Sequence, residues 1–177
     1  VHNEVGNAAV LAREIAEVME GRAFELIFVN DASTDDTLDE LVALKPEIPQ
    51  LRILSHRKNA GQSRALRTGV KAARAPVIGT VDGDGQNDPA DIPRLVDELD
   101  KGFDVVSGWR KDRQDRTISR KIPSRIANRL ISWITRVQLN DYGCTLKAYR
   151  RSVMQRVSLY GEMHRFIPVH AHWNGAR

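Results

Sequence analysis

The sequence predicts an α/β fold in which a mostly parallel sheet is covered by helices on both faces. Short, nearly continuous apolar runs alternate with segments whose apolar residues recur at helical spacing. Strands with continuous apolar runs are typical of a sheet that is buried on both faces. Several of these runs also end in polar or charged residues, as strands do where ligands bind at the carboxyl edge of a parallel sheet.

The predicted elements begin with a helix and then alternate strand and helix. In the first helix, apolar residues from Val10 to Met19 recur on one face, and Asn7 is a suitable cap. Ser33, Thr34 or Asp35 can cap the second helix, whose first turns are acidic. Helices are predicted at residues 6–20, 33–44, 62–73 and 89–101, and strands at 24–31, 51–54, 76–81 and 103–109.

The carboxyl ends of these strands carry the residues that indicate function. Crossovers between parallel strands are right-handed, so each strand presents its C-terminal end to the same edge of the sheet. We therefore expect Asp31, the Asp82–Gln86 loop and Arg110 along one edge. Three strands that end in polar groups at one edge indicate a binding site.

Two carboxylates lie one residue apart directly after the strand at 76–81. Asp82 and Asp84 repel each other, and no apolar neighbour requires them. A divalent cation would remove the repulsion, and oxygen ligands, with the Gln86 amide as a third, suit Mg²⁺ or Mn²⁺. On this motif alone, a merely solvated acidic turn stays open. A helix-loop-helix calcium site is excluded, because Asn87 and Pro93 occupy the positions where it needs glycine and glutamate.

The loop Ser55–Gln62 is basic, contains Gly61 and leads into a helix. The N-terminus of a helix next to glycine and basic side chains such as Arg57 is a natural place for a phosphate or a nucleotide. A capped turn with surface basic residues is the open alternative.

Composition limits the class of protein. With 177 residues, of which 41% are hydrophobic, the chain forms one globular domain with a real core. A single cysteine, Cys144, excludes an internal disulfide and indicates a reducing compartment. No run approaches the roughly 20 apolar residues of a membrane span, and no signal peptide opens the chain.

Basic charge is concentrated in one segment. Residues 110–136 hold nine Lys or Arg and two Asp, a net charge of +7. Apolar residues from Ile118 to Val137 recur there at helical spacing with basic residues between them. Such a helix can lie on an anionic membrane surface, and an ordinary surface helix packed on the core is the open alternative. We expect no nucleic-acid partner, because the charge is local and stacking aromatics are scarce.

Residues 141–151 are predicted to form a loop, a strand and then a helix. Cys144 is expected to be a small packed residue, because no catalytic motif surrounds it. His164, His170 and His172 are not predicted to bind a metal together, because their spacing does not place all three on one helical face.

Taken in series, these motifs resemble those of the family 2 glycosyltransferases. Within that family the resemblance is to the dolichol-phosphate-mannose-synthase-like enzymes, which glycosylate polyprenyl phosphates, and it covers nearly the whole chain. It implies a GT-A fold (Rossmann-like), a UDP- or GDP-linked nucleotide-sugar donor and a divalent metal. The matching segments are His2–Glu4, Asn30–Asp35, Asn59–Gly61, Asp82–Gln86, Gly108–Arg110 and Gly143–Arg151.

The resemblance also implies roles for individual residues. Asp31 would meet the nucleotide base or ribose, and Glu4 would line the nucleotide pocket. Asp82, Asp84 and Gln86 would hold the metal and the donor diphosphate. The donor would also be contacted by Asn3, Ser33, Arg57 and Gly61. The acceptor phosphate would be bound by the catalytic arginines Arg110 and Arg120, and the sugar would be oriented by Asp141.

The implied reaction is an inverting transfer to a lipid phosphate at the cytoplasmic membrane face. A lipid phosphate is already anionic, so it needs little help from a general base. A transferase with a hydroxyl acceptor, such as a polysaccharide or another glycan, would need Glu162 or Asp141 as a base. A non-catalytic domain that binds nucleotide or membrane is the third alternative, and assembly into a homo-oligomer stays open.

The chain departs from the family pattern in three places. Asn30 and Ala32 replace an aspartate and a glycine of the second motif, which leaves the nucleotide open. The family's first strand, which precedes Asn3 and lies inside the sheet, is absent. We expect residues 1–177 to be a single catalytic domain and a fragment of a longer protein, peripheral to or anchored in the cytoplasmic membrane.

Overall fold

The computed structural model describes residues 1–109, 132, 135, 137, 139, 141–157, 161 and 163–177. The described elements follow the predicted alternation of strands and helices. In chain order they are α1 (Asn7–Val18), β1 (Leu26–Asn30), α2 (Thr37–Ala43), β2 (Leu51–Ser55), α3 (Gln62–Ala72), β3 (Val77–Thr80), α4 (Asp91–Leu99), β4 (Val105–Ser107), β5 (Lys147–Arg150), α5 (Arg151–Met154), a 3₁₀ helix (Met163–Phe166) and α6 (Ile167–Trp173).

Helix α2 begins one turn later than predicted, because the polar residues before it hold a turn. Asn30 Oδ1 accepts hydrogen bonds from the N–H and the hydroxyl of Ser33, at 3.1 and 2.6 Å. Asp35 Oδ1 accepts one from the N–H of Thr37 at 3.1 Å. Such short side chains compete with a helix for backbone groups, and the helix therefore begins at Thr37.

Helix α1 covers one face of the first pair of strands. Gly6 occupies its N-cap with φ of 82°, a left-handed conformation that glycine adopts without strain. Asn7 is therefore the first helical residue, and its prediction as the cap is wrong. The buried side chains that join α1 to β1, α2 and β2 are Ala8, Leu11, Ala12, Ile15, Leu26, Phe28, Leu41, Leu44, Ile48 and Leu51.

The described strands form two separate sheets. β1 and β2 are parallel, with Leu26 opposite Leu51 and Asn30 opposite Ser55. The second sheet has the order β3-β5-β4, and β5 is antiparallel to both of its neighbours. The described strands are therefore not all parallel, unlike what the alternating pattern predicts, because β5 runs in the opposite direction to β3 and β4. β3 and β4 still run in one direction, because each is antiparallel to β5.

An apolar cavity of about 490 Å³ separates β1 from β3. The amino nitrogen of Val1 donates to the Val29 carbonyl, and the Val1 carbonyl accepts from the Asp31 N–H, both at 2.9 Å. This is the pattern of a residue paired in parallel with Asn30. Apart from Val1, no described residue continues a strand along this edge of β1. No described strand pairs with the edge of β3 that faces β1 across the cavity either. The cavity thus lies where the resemblance places the family's first strand.

The described helices do not include a membrane span. Throughout the described ranges, none combines the length with the apolar composition needed to cross a bilayer. The basic amphipathic segment predicted between Ile118 and Val137 lies mostly outside the described residues. Within it only Ser132, Thr135 and Val137 are described, and the hydroxyl of Tyr142 donates a 2.5 Å hydrogen bond to the Val137 carbonyl.

Candidate functional site

Asp31 lies at the end of β1 and is almost completely buried, with 4% of its surface exposed. His56 Nδ1 lies 2.7 Å from Asp31 Oδ1, and the N–H groups of Ala60 and Gly61 donate to its two oxygens at 2.9 and 2.8 Å. Burial raises the pKa of Asp31, but these hydrogen bonds outweigh it, so that the pKa lies below its ordinary value. Asp31 therefore holds the loop after β2 as an ionised carboxylate.

His56 is held on its second nitrogen as well. Its Nε2 lies 2.9 Å from Thr68 Oγ1 on α3, so the ring connects Asp31, after β1, with α3. Gly61 directly precedes α3 with φ of 85°, where a side chain would be strained. Arg57, in the same loop, is exposed. The predicted nucleotide loop is thus held at its glycine by Asp31 and also carries an exposed arginine.

The first residues of the chain pack against the turn after β1. The Asn3 N–H donates to Ser33 Oγ at 3.0 Å, and Asn3 Oδ1 accepts from the Thr34 N–H at 2.8 Å. The Glu4 N–H donates to Thr37 Oγ1 at 2.9 Å. The structure therefore brings together Asn3, Glu4 and Ser33, three residues predicted to serve the donor site, and the Glu4 carboxylate accepts a 3.0 Å hydrogen bond from Asn7 Nδ2.

Asp82 lies just beyond β3 and is half-buried. Gln62 Nε2 donates to its Oδ1 at 2.6 Å. Burial raises the pKa of Asp82 above its ordinary value, and the charge of Asp84 adds to the rise. This rise is opposed, but not cancelled, by the nearby side chains of Thr145, Gln62 and His164. Asp82 is therefore a carboxylate whose charge the protein compensates only in part.

Asp84 and Gln86 are exposed on the loop that follows. Asp84 Oδ1 accepts a hydrogen bond from the Gln86 N–H at 3.1 Å. Gly85 between them has φ of 69°, a conformation that turns the loop back and favours glycine. The turn thus keeps Asp84 close to Asp82 and leaves the side chain of Gln86 in solvent.

Val1 connects the two acidic regions. A side-chain carbon added at Gly83 would lie 2.4 Å from a Val1 methyl carbon, so the two residues are in close contact. The Val1 carbonyl also accepts the Asp31 N–H at 2.9 Å, so Val1 contacts the regions after both strands. The ends of β1 and β3 therefore lie at one edge of the fold, in agreement with the expectation from the sequence.

Four residues near Asp82 were not predicted from the sequence. Gln62 and Ser63 begin α3, Thr145 precedes β5, and His164 lies in the 3₁₀ helix. Ser63 Oγ lies 2.9 Å from His164 Nδ1 and accepts the His164 N–H at 3.2 Å, and both residues are buried. The position of Gln62 directly after a glycine-containing loop was a usable signal, whereas Thr145 and His164 belong to no short motif.

The later predicted residues are only partly described. Asp141 is buried, and its Oδ1 accepts a hydrogen bond from the Gly143 N–H at 3.0 Å. Cys144 is buried and free of disulfides, which confirms its prediction as a packed residue. Arg110, Arg120 and Glu162 lie outside the described residues.

Comparison with known proteins identifies the family. Residues 1–158 match the family model described as Glycosyl transferase family 2. The chain belongs to this family. The resemblance seen in its motifs is therefore confirmed.

Curated relatives of the chain act on lipid phosphates, according to their names. It is 46% identical over 172 residues to a dodecaprenyl-phosphate galacturonate synthase of Rhizobium johnstonii, a match that covers 95% of the chain and 51% of the relative. It is 36% identical over 173 residues to an undecaprenyl-phosphate 4-deoxy-4-formamido-L-arabinose transferase of Shewanella sediminis, covering 96% and 52%. The chain thus spans about half the length of the curated relatives it matches.

Solved structures establish the fold. A mannosyltransferase from Pyrobaculum calidifontis in complex with GDP-Man and Mn²⁺ superposes with a TM-score of 0.73 at 18% identity, covering 100% of this chain and 51% of the other. Glucosyl-3-phosphoglycerate synthase from Mycobacterium tuberculosis in complex with Mn²⁺ and UDP-glucose gives 0.69 at 20% identity, covering 90% and 56%. The predicted α/β class and GT-A fold are confirmed.

The acidic loop fits a divalent cation that is shared with a phosphate ligand. Within the described parts of the family 2 chain, no group of three or more His, Cys, Asp or Glu side chains is assembled to hold a metal by itself. Asp82 and Asp84 supply two carboxylates, and Mg²⁺ commonly binds one or two carboxylates together with substrate phosphates.

Proposed function

We propose that this chain carries the catalytic site of an inverting, metal-dependent glycosyltransferase. The sugar moves from a nucleotide-sugar donor to a polyprenyl phosphate at the cytoplasmic membrane face. The observation that supports this most directly is geometric: Gln62, which directly follows the Gly61 loop that Asp31 holds, donates to Asp82 at 2.6 Å, so the acidic pair and this loop lie together. A diphosphate bound between these two regions would supply the anionic oxygens that complete a cation site.

The donor would lie between the ends of β1 and β3. Asp31 fixes the backbone of Gly61, and Arg57 next to it offers a positive charge to a phosphate or a base. Asn3, Glu4 and Ser33 would border the nucleoside. Asp82, Asp84 and Gln86 would hold Mg²⁺ or Mn²⁺, which when bound neutralises negative charge on the leaving nucleoside diphosphate.

The acceptor is argued from what the relatives share. Their names share one class of acceptor, a polyprenyl phosphate, but specify two different sugars. The acceptor class is therefore the common feature, and the sugar of this protein stays open. Arg110 and Arg120 would bind the acceptor phosphate by charge-assisted hydrogen bonds. The location of that lipid supports binding at an anionic membrane surface, and a homo-oligomer remains a prediction.

The chemistry is a single displacement at the anomeric carbon of the sugar. An oxygen of the lipid phosphate forms the new bond to this carbon, while the bond to the donor diphosphate breaks and the nucleoside diphosphate leaves with the electron pair. The acceptor oxygen is already anionic, so no general base is required. Attack opposite the leaving group inverts the configuration, and Asp141 would orient the sugar.

The test is sugar transfer by the full-length protein in detergent with a polyprenyl phosphate acceptor. Reactions with UDP- and GDP-linked sugars, galacturonate and 4-deoxy-4-formamido-L-arabinose among them, would be run with Mg²⁺, Mn²⁺ or chelator. We expect metal-dependent formation of one glycosyl lipid. Asp84→Asn should abolish it, while the exchange of an exposed, distant carboxylate, Glu47→Gln, should leave it unchanged.

Two results would overturn the proposal. Transfer to a hydroxyl acceptor that requires Glu162 would assign the enzyme to the polysaccharide-directed alternative. Nucleotide or liposome binding without turnover, unaffected by Asp84→Asn, would indicate a non-catalytic domain.

A further inference from the structure

Gln62, the first residue of α3, connects two regions that the proposed donor would touch. Its backbone directly follows Gly61, whose N–H donates to Asp31 Oδ2 at 2.8 Å. Its side chain crosses to the acidic loop, where Nε2 donates to Asp82 Oδ1 at 2.6 Å. One residue thus joins the loop after β2 to the first carboxylate of the acidic loop.

The backbone of Gln62 is held on both sides. On one side, Asp31 holds the N–H of Gly61. On the other side, the hydroxyl oxygen of the buried Ser63 lies 2.9 Å from His164 Nδ1 and accepts the His164 N–H at 3.2 Å. Because both of its neighbours are anchored to other elements, Gln62 extends its side chain from a defined position.

The chemistry of the two groups sets the direction of the contact. A carboxylate accepts hydrogen bonds, so the amide nitrogen of Gln62 is the donor. A hydrogen bond to a charged acceptor is stronger than one between neutral groups. The amide itself is neutral, and a carboxylate has about four lone-pair sites. The contact therefore orients Asp82 while its charge and most of its lone pairs remain for a cation.

Gln62 contributes little to the stability of the free protein. The residue is exposed, so the core does not depend on its side chain. Ordering a glutamine side chain costs conformational entropy, which offsets the modest net gain of one hydrogen bond. The contact lies instead where a bound nucleotide and a bound cation would need the two loops aligned.

We propose that Gln62 is a positioning residue, which orients the Asp82 carboxylate relative to the loop at Gly61 so that the cation and the nucleoside diphosphate meet in one geometry. This inference rests on the proposed function of the acidic loop. Gln62 acts through Asp82 and does not itself bind the donor. Removal of a group that orients a metal ligand typically lowers metal affinity by about 10- to 100-fold.

The experiment replaces the amide by a side chain of similar length that cannot donate, in Gln62→Met. Titration calorimetry on the full-length protein would measure Mn²⁺ binding at a fixed concentration of UDP or GDP, and binding of the same nucleotide in chelator. We expect Gln62→Met to weaken Mn²⁺ binding about tenfold. The affinity for the nucleotide in chelator and the thermal midpoint without metal should stay unchanged, because the side chain serves neither directly.

The matched control is Gln155→Met, the same exchange at another exposed glutamine. Gln155 directly follows α5, and α5 begins after Arg150, which pairs with Val77 at the start of β3. It therefore lies at the end of β3 away from Asp82, and its exchange should change neither affinity. In transfer assays, Gln62→Met should raise the KM for the donor at limiting Mn²⁺, and excess Mn²⁺ should recover part of the loss.

A second variant, Gln62→Ala, covers the case in which methionine disturbs the start of α3. It should weaken Mn²⁺ binding to a similar extent, because both variants lose the same donor. Unchanged Mn²⁺ affinity in both variants would overturn the inference. So would an equal loss of nucleotide affinity in chelator, because Gln62 would then be a direct contact of the donor.

The same titrations separate this failure from failure of the proposed function. If Asp84→Asn abolishes Mn²⁺ binding while Gln62→Met does not change it, only the role of Gln62 is wrong. If Asp84→Asn has no effect either, the metal site itself is wrong. A protein that binds Mn²⁺ through Asp84 but transfers no sugar to lipid would contradict the proposed acceptor, and the Gln62 result would still stand on the binding data.

Discussion

Asp31 and Asp82 both follow a strand at the same edge of the fold, yet their surroundings differ. Asp31 is buried and receives three hydrogen bonds, two of them from backbone N–H groups, which lower its pKa. Asp82 receives a hydrogen bond from the neutral side chain of Gln62 and lies close to the negative Asp84, and its pKa is raised. The protein completes the environment of the first carboxylate by itself, whereas it leaves the second incomplete.

The difference separates a structural carboxylate from one that is available to a ligand. Ionised Asp31 stabilises the fold by holding the loop at Gly61. Ionised Asp82 destabilises the free protein, because burial and a like charge both disfavour it. Groups of this second kind concentrate at functional sites, and a bound cation would convert the unfavourable charge into a ligand.

The largest expected effect is the loss of function when the acidic loop is neutralised. Asp82→Asn should lower sugar transfer at least about a hundredfold, the scale seen when a group that stabilises transition-state charge is removed. It should not lower the thermal midpoint measured without metal, because the amide is not penalised by burial as the carboxylate is. Differential scanning fluorimetry in chelator, beside the transfer assay, checks both parts. A variant that is inactive because it is unfolded would contradict the comparison.

Asp31→Asn should clearly lower the free energy of unfolding, whereas Asp82→Asn should not. An amide cannot accept all the hydrogen bonds from His56, Ala60 and Gly61, and buried donors lose partners. We expect about 2–3 kcal/mol of destabilisation, the scale of a hydrogen bond to a charged group. Urea unfolding measures it. The matched control is Glu47→Gln, which removes an exposed ion pair with Arg13 and should leave stability nearly unchanged, because water screens exposed pairs.

The pH dependence of stability should distinguish the same two carboxylates. The folded pKa of Asp31 lies below its unfolded value, so its contribution is complete above the unfolded pKa and is lost as pH falls through the folded one. The gap in unfolding free energy between wild type and Asp31→Asn should therefore narrow below about pH 4. For Asp82 without metal the pH dependence has the opposite sign. Its folded pKa is raised, so its contribution to stability falls as pH rises from the unfolded pKa to the folded one. Urea titrations from pH 7 to pH 3 test both, and a constant gap for Asp31 would contradict its assigned role.

The smallest expected effect concerns Ala32, which follows Asp31. Ala32 has φ of 56°, a left-handed conformation that disfavours a residue with a side chain by roughly 1–2 kcal/mol. Ala32→Gly should remove this strain. Part of the gain is offset by the greater freedom of glycine in the unfolded chain, and a net stabilisation of about 0.5 kcal/mol is expected. A more stable variant with unchanged donor affinity would show that the strain is not required for binding.

The sequence determined the order of the elements and the location of the acidic loop, for physical reasons that act over short distances. Apolar runs and helical periodicity depend on neighbouring residues, so they predicted α1 to α4 and β1 to β4 with small errors at the ends. Asp82 and Asp84 stood out because two adjacent like charges need an explanation wherever they occur. The motif series also identified the family before any distance was known.

Only the tertiary structure decided what each carboxylate does. Asp31 and Asp82 look alike in the sequence, and their difference comes from residues such as Ala60 and Gln62, which reach them from elsewhere in the chain. The reversed direction of β5 was equally hidden, because it depends on how the chain returns between β3 and β4. Hydrogen bonding and burial are set by residues far apart in sequence, and a pattern of neighbouring residues therefore cannot predict them.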